Sequence, residues 1–223
     1  MNQPAVETII WDLDGTIIDS FGLYCDVMAE ILPGHGIALP TQDVLAANYH
    51  GSLDDSVSQA LGGTLAKDQI AQIVIDFLAA QSPLYETVEH HIFSDALALA
   101  RVGRAVGINQ VVVTNRSHAG RLKASPRSIV ERTALKPLID KIICGDDTPY
   151  KKPDVRVLAG VEFNPETTLV IGDQPVDLEL AQNIGARAVL VWRSDEPHAH
   201  TDALKRYPNV QIVSSLTQIL PVG

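Results

Sequence analysis

The sequence predicts an α/β fold: a doubly wound parallel sheet, interrupted after its first strand by an inserted α-helical domain. Three observations carry this. Short apolar, β-branched runs alternate with helical patterns from residue 94 to residue 213, and such alternation marks a parallel, right-handedly wound sheet. A run of the same texture stands near the start, at residues 6–11. Between them, residues 20–93 show helical patterns and no strand. A helical block lying between the first two strands is an insertion, so the expected domains are 1–19 with 94–223, and 20–93.

Taken in order, residues 6–11 form the first buried strand. It empties into Asp12-Leu13-Asp14-Gly15, where Asp-Gly supplies a sharp turn. A helix over 21–32 should stop at Pro33-Gly34, and Thr41 after Pro40 should cap the next one. Residues 52–61 read as a third helix ended by Gly62-Gly63, residues 66–80 as a fourth, and Ser82-Pro83 as the start of a fifth. The core resumes with a helix over 94–106 ended by Gly107, then a strand over 110–113 that delivers Thr114-Asn115. Helical pattern returns near His118, with Ser125-Pro126 as a restart. A strand at 141–144 leads to Lys151-Lys152-Pro153, and Pro153 should open a helix. The strand at 168–171 opens into Gly172-Asp173-Gln174-Pro175-Val176-Asp177. A helix from Asp177 to Gly185 and strands at 188–191 and 210–213 complete the pattern, with an exposed polar loop at 193–203.

Composition narrows the function. The chain has 223 residues, enough for one sizeable core and a smaller insertion. A formal net charge of −10 argues against nucleic-acid binding, which needs clustered Lys and Arg. It does not exclude a small phosphorylated substrate, since one lysine and a metal can supply local positive charge. The two cysteines, Cys25 and Cys144, form no CxxC pair and no disulfide framework. No leader-like segment and no apolar run of membrane-spanning length is evident, so a cytoplasmic protein without membrane partners is expected, as monomer or homodimer.

The chemistry gathers at strand ends. Residues i and i+2 of an extended chain face the same way, so Asp12 and Asp14 are expected to converge at the first strand's carboxyl end, where open α/β sheets bind ligands. Adjacent carboxylates repel unless a cation or shared proton relieves them, which points to a divalent metal. An acidic turn that merely caps a helix is the competing reading of this stretch alone.

Four segments in order, Asp12-Leu13-Asp14-Gly15-Thr16, Thr114-Asn115, Lys152-Pro153-Asp154 and Gly172-Asp173 through Asp177, resemble the motifs of haloacid-dehalogenase-superfamily hydrolases. The likeness is to the phosphoglycolate-phosphatase-like kind, with an HAD-like Rossmannoid core and a helical cap after the first strand, and it spans nearly the whole chain. The four fixed residues of the first motif would recur by chance on the order of once per 10⁵ positions.

The resemblance implies a Mg²⁺-dependent phosphatase acting on a small phosphorylated metabolite. Asp12 would be the nucleophile that becomes an aspartyl-phosphate, and Asp14 the general acid and then base. Lys152 would neutralise the phosphate as a compact charge, with Lys151 a rim residue. Mg²⁺ would take Asp12, the backbone carbonyl of Asp14, and Asp173, with water and phosphate completing an oxygen shell. Asp177 would orient a metal water or Lys152, or serve as a helix first-turn acid. Thr114 and Asn115 would hydrogen-bond the phosphoryl group. Arg116 is a candidate fork for a substrate carboxylate or second phosphate, and His50, with Tyr49, a candidate contact to the leaving group.

Departures from relatives sharpen the expectation. Asp14 argues against dehalogenation. Lys67 is the sole lysine between residues 20 and 93, so a cap lysine for phosphonate cleavage is not evident. The acidic Gly51-Ser52-Leu53-Asp54-Asp55 disfavours a phosphomutase, which stays the alternative, with a catalytically silent phosphate sensor behind it. His90-His91 and His198-Ala-His200 are read as loop histidines, since such a site takes oxygen ligands.

Overall fold

The computed structural model describes residues 5–49, 52–84, 89, 91–117, 125–193, 205–207 and 210–219. The chain forms two compact units. One is drawn from Met1–Ile18, Ile92–Gly120 and Ser125–Gly223, and the other chiefly from Asp19–His91.

The first unit is an α/β sheet of six strands: β1 (Thr8–Trp11), β2 (Asn109–Val113), β3 (Lys141–Ile143), β4 (Thr168–Gly172), β5 (Arg187–Val191) and β6 (Gln211–Val213). Every pairing is parallel, in the order β3-β2-β1-β4-β5-β6. Ile10 of β1 is registered with Val111 on one side and Val170 on the other. Strand order therefore reverses at β1, and the crevice beyond the carboxyl ends of β1 and β4 is the switch point where such sheets bind ligands.

Both faces of β1 are buried, which explains a near-continuous apolar strand. Ile10, Val111, Val113, Ile143 and Val170 pack with Leu180 and Ala181 of α7 (Pro175–Ile184) on one face. On the other, the Trp11 indole N–H donates to the Gln110 side-chain oxygen at 3.1 Å, and the Gln110 amide donates to the Ala100 carbonyl at 2.8 Å. Ala100 belongs to α5 (Ser94–Ala105). Gln110 is thus a fully buried polar side chain whose bonds are made.

The second unit contains α1 (Ser20–Ile31), α2 (Gln42–Ala47), α3 (Leu53–Ala60) and α4 (Lys67–Leu84). They bury Tyr24, Val27, Met28, Leu45, Val57, Ile73 and Phe77 in a core of their own. Thr41 and Ser52 cap α2 and α3 as their types predict, accepting from Val44 N–H and Asp55 N–H.

Several boundaries depart from the sequence reading. α1 ends at Ile31, before Pro33 as expected, but the chain goes on coiling: Pro33 sits in the first turn of a 3₁₀ segment, Leu32–His35, where its missing N–H has no bond to lose. Gly36, at φ +69°, ends it. Ser82-Pro83 does not open a helix, because α4 runs on to Leu84 and a proline so near the end costs it one backbone bond. No helix starts at Pro153, whose peptide bond to Lys152 is cis. Asp154 instead accepts from Arg156 N–H at 2.9 Å and limits the segment to a 3₁₀ turn, Val155–Leu158. α6 is short, Pro126–Arg132 with Ser125 as cap, and the stretch from His118 lies outside the described residues.

Arg193, just after β5, also differs from expectation. Arg193 is not an exposed loop residue: it makes a two-pronged bond to the buried Asp95, at 2.9 and 3.0 Å. It stacks on Phe93 at 3.7 Å and donates to the Thr16 carbonyl at 3.1 Å. Burial opposes the charge on Asp95, but Arg193, the Leu216 N–H and the Ser215 hydroxyl outweigh it and hold the carboxyl below its usual range. Asp95→Asn should destabilise the fold by about 3 kcal/mol at neutral pH, because Arg193 keeps its charge and loses its partner. A depressed folded pKa gives stability that is present above the unfolded value near ~3.9 and lost as pH falls through the folded one. The gap between variant and parent in denaturant midpoints should therefore narrow on acidification below about pH 4.

Candidate active site

The site is built where β1, β2 and β4 end. Asp12 N–H donates to the Ile171 carbonyl at 2.8 Å, which carries the β1–β4 pairing one residue further. The chain then turns through Gly15, at φ +80°. A Cβ there would lie 2.2 Å from an Asp173 carboxylate oxygen, so glycine is required both by its backbone and by this approach. The buried Thr16 hydroxyl donates to the other Asp173 oxygen at 3.3 Å.

Lys152 is the centre of charge. Its ammonium donates to Asp12 Oδ1 at 2.5 Å and to Asp177 Oδ1 at 2.7 Å, and all three residues are buried. Lys151 beside it is exposed. Two loops hold Lys152 in place. Asn115 accepts from the Lys152 backbone N–H at 2.9 Å and donates to its carbonyl at 3.2 Å, a side chain imitating a strand neighbour. Gly145 lets the loop after β3 pass, since a Cβ there would lie 2.1 Å from the Asn115 carbonyl oxygen.

Asp177 makes two bonds at once. One oxygen takes the Lys152 ammonium, and the other accepts from Gln174 N–H at 3.2 Å to close a capping box on α7. Room for that carboxylate comes from Gly172, where a Cβ would lie 2.2 Å from it. α7 accordingly begins at Pro175, two residues before the expected start.

The electrostatics follow from crowding. Oxygens of Asp12, Asp173 and Asp177 all lie within 4.8 Å of one another. Burial, then Asp12 and Asp177, raise Asp173 well above the ordinary carboxylate range. Burial raises Asp12 as well, against the pull of Lys152. Burial works against the charged form of Lys152, and Asp12 and Asp177 more than offset it, so the ammonium is held protonated. Three carboxylates facing one ammonium form an all-oxygen donor set short of positive charge, which suits a hard divalent cation.

Not every expected residue joins this cluster. The Asp14 carboxylate does not share the cluster of Asp12; it accepts from the Arg116 guanidinium at 2.8 Å, because Asp14 lies beyond the end of β1, in an isolated bridge with Ile18. Thr114 is buried, and its hydroxyl accepts from Arg116 N–H at 3.0 Å. Tyr49 packs its ring against Phe21 and Tyr24 within the helical unit. His50, His90, His198 and His200 lie outside the described residues. The Asn115 brace, the Gly145 passage and the Arg193 bond to Thr16 had no signal in the sequence pattern, as each joins residues distant in the chain.

Comparison with known proteins decides the family. The haloacid dehalogenase-like hydrolase family model matches residues 9–191. The chain belongs to the haloacid dehalogenase-like hydrolases. A phosphoglycolate phosphatase of Rhodospirillum rubrum is 28% identical over 220 residues, covering 89% of this chain and 85% of the relative. Among solved structures, a predicted phosphoglycolate phosphatase of Haemophilus somnus shares the fold at a TM-score of 0.74 and 17% identity, covering 100% of this chain and 99% of that one. A haloacid dehalogenase-like family hydrolase of Streptococcus pneumoniae does so at 0.70 and 18%, covering 96% and 97%. This hydrolase is an enzyme of the phosphatase kind. Among the described residues, no helix is long and apolar enough to cross a membrane.

Proposed function

We propose that this hydrolase is a Mg²⁺-dependent phosphatase for a small metabolite of the phosphoglycolate or sugar phosphate class, working through an aspartyl-phosphate on Asp12. One observation carries the reading: a buried Asp12–Lys152–Asp177 chain of charge-assisted bonds beside Asp173, at the switch point of the sheet. The relatives named phosphoglycolate phosphatase support the substrate class.

In this reading an Asp12 oxygen forms a bond to phosphorus while the bond to the ester oxygen breaks, and Asp14 gives that oxygen its proton. Water then attacks phosphorus, Asp14 takes the proton back, and Asp12 is regenerated as inorganic phosphate leaves. Lys152 neutralises the phosphate as it approaches two carboxylates, and Asp177 and Asn115 keep the ammonium and its backbone in place. Mg²⁺ on Asp12, the Asp14 carbonyl and Asp173 would supply Lewis-acid charge neutralisation at the transferring group. Thr114 and Asn115 border the site through their backbones and hydroxyl or amide. The helical residues 20–93 would act as the cap that sets specificity, and a monomer or homodimer suffices for all of this.

A panel of phosphoglycolate, sugar phosphates, nucleotides and pyrophosphate in ¹⁸O-water tests the proposal. Labelled inorganic phosphate should appear with Mg²⁺ and stop when excess chelator is added. Transfer to an added sugar phosphate faster than release would make the chain a mutase, and silence across the panel a phosphate-binding protein.

A further inference from the structure

Arg116 stands apart from the charge cluster and is built as a fixed fork. Its backbone is held on both sides: N–H to the Thr114 hydroxyl at 3.0 Å, and carbonyl to the Gly145 N–H at 2.9 Å. Its side chain is 18% exposed and that of Asp14 is 28% exposed, so both are less enclosed than Lys152, although Nε and Nη2 of the guanidinium are buried. The guanidinium occupies Asp14 Oδ1 at 2.8 Å. The guanidinium thus ties down one of the two oxygens of the residue that serves the leaving group, and the pair acts as a latch on it.

We infer that Arg116 selects phosphate esters whose leaving group carries a carboxylate close to the ester oxygen, and that this carboxylate, by taking Arg116, releases Asp14. The inference rests on the phosphatase reading and narrows its substrate. Three physical points support it. The transferring phosphoryl group already has Lys152 beside Asp12, so a second cation bound to Asp14 is placed for charge on the leaving group. Exchanging the Asp14 carboxylate for a substrate carboxylate is like for like: Arg116 loses one charge-assisted bond and gains another. A neutral leaving group offers no such exchange and must break the pair without replacement. Because Thr114 and Gly145 fix the backbone of Arg116, the fork is pre-organised for the incoming group.

The test compares phosphoglycolate with 2-hydroxyethyl phosphate, which has the same length and a neutral end, in the full-length protein with Mg²⁺. The unaltered protein should favour phosphoglycolate in kcat/KM. Arg116→Met should lower that preference by roughly 50-fold, through a loss of kcat/KM for phosphoglycolate that exceeds any loss for the neutral ester. Arg116→Lys keeps the charge without the fork and should lower the preference about fivefold or more; it decides the matter if Arg116→Met does not fold. A propane-1,2-diol bisphosphate preferred over phosphoglycolate and lost in the same variants would overturn the carboxylate in favour of a second phosphate. An unchanged preference, or equal loss of both esters, overturns the latch while leaving a working phosphatase. Absence of turnover of any ester by the unaltered protein overturns the phosphatase reading and the latch with it.

Discussion

Asp12→Asn should reduce turnover of every phosphate ester by roughly 10⁴-fold or more, because an amide cannot form the covalent intermediate on which both halves of the reaction depend. The same change should leave the fold intact. Lys152 retains Asp177 at 2.7 Å, and removing one of three crowded carboxylates relieves repulsion at Asp173, which Asp12 helps to raise. Thermal midpoints of variant and parent should lie close together without Mg²⁺, and the stabilisation that Mg²⁺ brings should shrink in the variant, as a ligand is lost. Rates with an aryl phosphate and melting curves with and without Mg²⁺ check all three. Residual activity above a tenth of the parent's would exclude Asp12 as the nucleophile.

Lys152→Met should harm both activity and stability. Catalysis should fall by about 10³-fold, the cost of one electrostatic partner at a developing charge. Stability at neutral pH should fall by about 3–5 kcal/mol, since buried Asp12 and Asp177 are left facing each other without their cation. The pH dependence has a definite sign. Lys152 has a raised folded pKa, so its contribution is complete below the unfolded value near ~10.4 and is lost only as pH rises through the folded one. Asp12 and Asp173 are also raised, and for them stability is present below about 3.9 and lost as pH climbs through their folded values. Without Lys152 that loss is uncompensated, so the variant should approach the parent near pH 4 and fall away above it, with Mg²⁺ recovering part of the difference. Denaturant titrations at a series of pH values read this directly. A deficit that is constant with pH would mean that Lys152 acts through packing rather than charge.

The family connection was legible because the chemistry of this fold sits on strand ends, and strand ends are local. An apolar run followed by Asp-Leu-Asp-Gly, or by Gly-Asp, announces both the strand and the turn that follows it. The parallel character of the sheet followed in the same way, from the alternation of strands with helical patterns. Asp177 could be read as orienting a metal water or Lys152, or as a first-turn helix acid; its two oxygens meet the Lys152 ammonium and the Gln174 N–H.

Other features were hidden from a one-dimensional reading. Alternation along a strand does not bring Asp12 and Asp14 together, because β1 ends at Trp11 and Asp14 lies beyond it, in an isolated bridge with Ile18. Nothing in the sequence pattern shows that the Asn115 amide pairs with the Lys152 backbone. Arg193 lay in a polar loop by composition, yet Asp95 and Phe93, about a hundred residues earlier, give it a buried partner and a ring to stack on.

By itself the sequence determined the α/β class, the strands that carry Asp12, Thr114 and Asp173, and the acidic and basic residues available for phosphate chemistry. These follow from periodicity and turn propensity, which act over a few residues. Only the tertiary structure decided which carboxylate meets which cation: Lys152 with Asp12 and Asp177, Arg116 with Asp14, Arg193 with Asp95. Those pairings are made between loops brought side by side by the sheet. Charge acts through space over a few ångströms and carries no record of distance along the chain.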